Sequence, residues 1–222
     1  MQTFATPAPA SVVLDVPAGS IRFIAADRAD TTVEVRPADA SKDRDVTAAQ
    51  ETAVACTDGV LTITTPKKKG ILGGAGFVEV TVQLPAGSRV EARTASAEFR
   101  GVGRLGEVAY DSAHGTVKLD EAAGARITLQ AGDITVGRLT GPAELRTQKG
   151  DLTVTEASAG PLTLRTEHGD ISVGAARGTS ASLDAGTSYG RIHNALANAD
   201  GDAPALAIHA TTAYGNIAAR TL

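Results

Sequence analysis

Tryptophan is absent from this 222-residue chain, aromatic residues make up 3% of it, and there is one cysteine, Cys56. A single thiol cannot close an intrachain disulfide, so no disulfide framework holds the fold. No run of 18 apolar residues occurs, which gives no candidate transmembrane helix. The opening residues Met1-Gln2-Thr3-Phe4-Ala5-Thr6-Pro7 have neither a basic n-region nor an apolar h-region. No secretory signal is read in them, and a cytoplasmic location is the expectation, although a chain trimmed of its signal would read the same way. An excess of positive charge is also lacking, since 21 Lys and Arg stand against 25 Asp and Glu. That balance argues against nucleic acid as a main partner, because neutralising phosphates needs a basic face.

What the chain does have is 42% hydrophobic residues, enough for a core built from Val, Ile, Leu and Ala, and 24 glycines. Such β-branched and small side chains suit strands stacked at even spacing. Six of the glycines recur in a common setting, x-Gly-polar-[Ile/Leu/Val], at 115, 132, 150, 169, 190 and 215. Their separations of 17, 18, 19, 21 and 25 describe a drifting period near 18. Alternating runs such as Leu162-Thr163-Leu164-Arg165-Thr166 precede them. Each unit therefore reads strand, glycine corner, strand, return loop, with apolar side chains on one face and polar ones on the other. The glycine allows a positive φ at the corner.

The repetition of one corner favours stacked coils over a hairpin meander. The expected architecture is an all-β solenoid of short coils of about 18 residues over 91–222, preceded by a sandwich-like β cap over 1–90. The inward row after each corner should be Val117, Ile134, Leu152, Ile171, Ile192 and Ile217. A hydroxyl row three before the glycines should be Ser112, Thr147, Thr166, Thr187 and Thr212. In the first ninety residues, Pro17-Ala18-Gly19-Ser20 and Pro85-Ala86-Gly87-Ser88 mark matching turns, and residues 37–53 read as a loop or short helix.

The N-terminal strand, its Pro-Ala-Gly-Ser turn, the recurring Thr-x-x-Gly-Asp-Ile-x-Val units and the late Tyr-Gly-x-Ile units together resemble a bacterial family. It is a domain-of-unknown-function family of β-strand-repeat proteins bearing the label "putative adhesin". The likeness is carried by Leu145–Val154, Leu162–Val173 and Ser188–Ile192, and the Ala, Arg and Asp usage is similar to actinobacterial members. The resemblance implies a solenoid and an adhesin-like role.

Candidate sites are sparse. Asp133, Asp151 and Asp170 follow their glycines in consecutive coils, about 5 Å apart by strand spacing. They read either as turn residues bonding backbone N–H groups or, more weakly, as calcium ligands. Tyr189 and Tyr214 should stack at equivalent corners, covering core or forming a platform for a partner. Lys67, Lys68 and Lys69 beside Ile71 and Leu72 form a distinctive loop between two strands. It is either a soluble hairpin tip or a contact for a partner, with an anionic membrane the less favoured alternative. The four histidines do not fall at spacings that share a zinc. No cofactor is expected.

The reading that follows is a non-enzymatic structural or interaction module whose partner is a protein or a second copy of itself. Its final coil, with Ile217, is expected to form an open end for a homodimer or an end-to-end assembly. The alternatives are an adhesion module using outward Asp, Thr and Tyr rows, and a β-helix hydrolase, for which a groove with facing carboxylates would be needed.

Overall fold

The computed structural model describes residues 1–66, 76–197 and 204–222. Among these the chain is all-β apart from one helix, and it divides into two compact units, Met1–Gly115 and Thr116–Leu222.

The first unit runs β1 (Gln2–Ala5), β2 (Ser11–Asp15), β3 (Ala18–Ala26), β4 (Asp30–Pro37), α1 (Asp43–Glu51), β5 (Ala53–Thr57), β6 (Val60–Thr64), β7 (Val78–Pro85), β8 (Arg89–Arg93) and β9 (Ser96–His114). The coiled pattern reaches further toward the N-terminus than the glycine spacing discloses. The β2–β3 coil is flanked on both sides by parallel strands, β6 and β7 on one side, β8 and β9 on the other. Among the described residues antiparallel pairing is confined to the outer edge: β5 lines β6, β4 lines β7, and β1 lines β4. These strands finish a coil edge that would otherwise present unpaired backbone groups.

Helix α1 lies in the expected 37–53 segment. Asp43 and Asp45 occupy its first turn, where the helix dipole favours negative charge. Asp45 is buried and accepts the Phe77 N–H at 2.9 Å, tying the helix to the entry of β7. The aromatic part of the core also lies in this unit: Phe99 sits between Phe23 and Tyr110, with ring centroids 5.4 and 4.6 Å away.

The second unit runs β10 (Val117–Ala131), β11 (Ile134–Leu139), β12 (Ala143–Arg146), β13 (Leu152–Ala157), β14 (Gly160–Arg165), β15 (Ile171–Ala175), β16 (Ala181–Tyr189), β17 (Ile192–Ala195), β18 (Leu206–Tyr214) and β19 (Ile217–Thr221). Every pairing within it is parallel among the described residues, as stacked coils require. The inward row forms as read from the sequence, but in a different order. Val117, Ile134, Leu152 and Ile171 follow in register, then Ile217, and Ile192 comes last. The final coil, β18–β19, is inserted between β14–β15 and β16–β17.

Side-chain polarity explains the inversion. Leu206, Ile208, Ala210, Ile217 and Ala219 of the final coil are all buried. Fully burying a large aliphatic side chain stabilises by about 1.5–3 kcal/mol. In the other coil the position over Ala219 is held by Asn194, which is exposed. Enclosed between two coils, that amide would lose its water without gaining full pairing. The more apolar coil therefore lies inside and the more polar one outside.

Candidate functional site

The repeated corner of the second unit gathers most of the residues singled out by sequence. Four of these corners, those of Gly150, Gly169, Gly190 and Gly215, begin with a hydroxyl that donates to a glycine carbonyl of the neighbouring coil. Thr147 reaches Gly132 O at 3.2 Å, Thr166 reaches Gly150 O, Thr212 reaches Gly169 O and Thr187 reaches Gly215 O, the last three at 3.0 Å. The glycines follow because the coils approach closely there. Gly150, Gly169 and Gly215 have φ of +143°, +155° and +154°, and a Cβ on any of them would collide with the carbonyl of the preceding coil's glycine.

The residue after the glycine builds a second rung. Asp133 accepts the Asp151 N–H at 2.9 Å, Asp151 accepts the Asp170 N–H at 2.8 Å, and Asp170 accepts the Asn216 N–H at 2.6 Å. Asn216 in turn accepts the Arg191 N–H at 3.1 Å. The aspartates are thus acceptors for backbone, coil to coil, which offsets the repulsion between neighbouring carboxylates of about 0.8 kcal/mol in water. One oxygen of each is committed to this ladder. Among the described residues no group of three or more His, Cys, Asp or Glu is placed to hold a metal ion. The ladder ends at Arg191, a side chain that can accept nothing.

The residue before the glycine carries the rings. His168, Tyr214 and Tyr189 stack in that order, with centroids 4.9 Å apart at both steps and planes within 8° and 4° of parallel. The stack follows the strand spacing. Sequence proximity alone pairs Tyr189 with Tyr214; the inversion of coils brings His168 onto the far side of Tyr214. The rings stand well into solvent, Tyr214 at 51% and Tyr189 at 67% exposure.

Ile217 is not at the open end. It is 1% exposed, held between Ile171 and Ile192, so the expectation that it forms an end contact is corrected. The end position belongs to Ile192, 46% exposed on a strand whose residues are all exposed. Lys67, Lys68, Lys69, Ile71 and Leu72 lie outside the described residues.

Of two further features, the first follows the repeat and the second lies outside it. Arg146 and Arg165 are cross-strand neighbours on the outer face of β12 and β14, with Arg146 paired to Glu144 of its own strand. Gly186-Thr187-Ser188-Tyr189-Gly190 has the Gly-x-Ser-x-Gly spacing of a nucleophile elbow. Its setting is not that of an elbow, since Ser188 lies in β16 and the chain continues into the strand β17 rather than a helix. The nearby histidine–carboxylate pair, His209 with Asp184 at 3.2 Å, is centred four residues up the same strand, about 13 Å away. That is beyond reach of a proton on Ser188.

A family model described as Toastrack DUF4097 matches residues 10–221. No curated protein matches the chain. Among solved structures, a "putative adhesin" from Bacteroides fragilis is similar at 14% identity and a TM-score of 0.45, covering 98% of this chain and 95% of its own. A "putative adhesin" from Parabacteroides distasonis is similar at 14% identity and 0.49, with the same coverage. A "putative lipid binding protein" from the same species is similar at 12% and 0.48, again over 98% and 95%.

Proposed function

We propose that this chain, which belongs to the Toastrack DUF4097 family, is a non-enzymatic scaffold that recognises a protein surface through the aromatic end of its second unit. The observation that carries this reading is the stack of His168, Tyr214 and Tyr189, left in water on a corner that the threonine and aspartate ladders hold rigid. Rings fixed in advance lose little conformational freedom on contact, and tyrosine contributes disproportionately to protein interfaces. Two of the three tyrosines in a chain with four phenylalanines and no tryptophan are spent on this one surface. A polar partner edge is matched by the phenol groups, and an apolar one by the ring faces and Ile192.

Photo-crosslinking tests the reading. Tyr189→p-benzoylphenylalanine, introduced in the producing cell, is expected to yield adducts of discrete protein mass on irradiation. The same substitution at Glu79, exposed on β7, is expected to yield none. Equal yields at both positions, or none at 189, would overturn the assignment.

A further inference from the structure

We propose that the partner at this end is a second copy of the chain, docked edge to edge along β16 and β17 in antiparallel fashion across a two-fold axis. The proposal rests on the interaction-scaffold reading and names its occupant. Among the described residues β16 pairs with β18 alone and β17 with β19 alone, so one side of each strand is open. Leu206 donates to Ser180 O, which orients the even-numbered backbone groups of β16 toward β18. By strand alternation the N–H and C=O groups of Ala181, Leu183, Ala185 and Thr187 face the open side. These groups call for another strand.

Three observations favour a second copy in the antiparallel sense. The chain itself shows what finishes such an edge: in the first unit the outer coil strands β6 and β7 are lined by the antiparallel strands β5 and β4. With that edge already lined, a head-to-tail array has no parallel coil edge to stack on there, and an isologous, self-closing contact is left. The end coil is near-neutral, since residues 181–195 hold one acid, Asp184, and one permanent cation, Arg191. The coil thus carries little net charge into the contact although the whole chain carries −4, and the two Asp184 carboxylates, diagonal to one another across it, each have their own His209 at 3.2 Å. Finally, Tyr189 and Ile192 are large exposed apolar side chains on this coil, and Leu183 and Ala185, whose counterparts Ile208 and Ala210 in β18 are buried, are half-exposed. Antiparallel pairing about Ala185 sets Leu183 against the second copy's Thr187 position and covers both inward rows at once.

Sedimentation velocity over about a hundred-fold range of concentration tests this, with wild type, Ala185→Pro and Tyr189→Ser. Wild type is expected to pass reversibly from the 22.5 kDa monomer to a species of twice that mass. Ala185→Pro removes an outward N–H that the monomer does not use, and proline is tolerated at such edges. It is expected to keep the wild-type circular dichroism and melting temperature while weakening dimerisation at least about tenfold. Tyr189→Ser is expected to weaken it less. A monomer throughout, a dimer indifferent to Ala185→Pro, or an open-ended series of larger species would each overturn the proposal. A strict monomer that still gives Tyr189 adducts with a different protein would remove the second copy and leave the scaffold reading standing.

Discussion

A methyl group on Gly169 would meet the carbonyl oxygen of Gly150 and would also have to tolerate φ near +155°. Gly178 has a positive φ of 77° as well, but a Cβ there meets nothing within 4 Å. The pair separates backbone strain from steric collision. Gly178→Ala is expected to cost about 1 kcal/mol, and Gly169→Ala at least twice as much because the neighbouring coil must shift. Thermal melts of the two variants check it; equal losses would mean that the close coil contact is not what requires glycine. A second residue makes a pH prediction. Burial pushes the Tyr110 phenol above its ordinary value of 10.0, while hydrogen bonds involving Thr94 and Ser112 pull the other way. The folded state then holds the proton more tightly than the unfolded one. The stability this provides is present below about pH 10 and is lost as pH rises beyond it. Tyr110→Phe, which has no proton to lose, is expected to show a shallower fall in stability above pH 10 than wild type in urea titrations.

At the scale of the element, the unit of construction is the corner, in which three consecutive roles fall to fixed residue types. In the second unit a hydroxyl donates backward at every corner but that of Gly132, a glycine permits contact, and an aspartate or asparagine accepts the next coil's N–H at every corner but that of Gly190. Each hydrogen bond contributes about 1 kcal/mol, so the ladders act by repetition rather than by any single strong link. The same logic places β18 and β19 inside the stack. Among the described residues they have strands on both sides, whereas β16 and β17 have one. Native-state hydrogen exchange is expected to protect the β18 amides for longer than those of β16, although β18 comes later in the chain. Faster exchange in β18 than in β16 would contradict the inverted order.

For the molecule as a whole, each unit ends in a strand order that departs from the order of the sequence. In the first, β2 and β3 lie inside β6 and β7; in the second, β18 and β19 lie inside β16 and β17. The all-β class, the solenoid coils, the membership of the inward row after the corner, and the stacking of Tyr189 on Tyr214 were all legible in the chain. They follow from side-chain alternation and from a glycine repeated at one corner, which are local properties. The parallel coils of the first ninety residues were not legible, because the matching Pro-Ala-Gly-Ser turns fall at non-equivalent places, between β2 and β3 and between β7 and β8, and the true partners lie far apart in sequence. The same was true of the third ring, His168, and of the place of Ile217's coil between two others. A repeat states which residues are equivalent, and it is silent on the order in which equivalent coils are laid down. Tertiary structure decided that order, because only when the coils compete for the two-sided position does the difference between Ala219 and Asn194 acquire an energy.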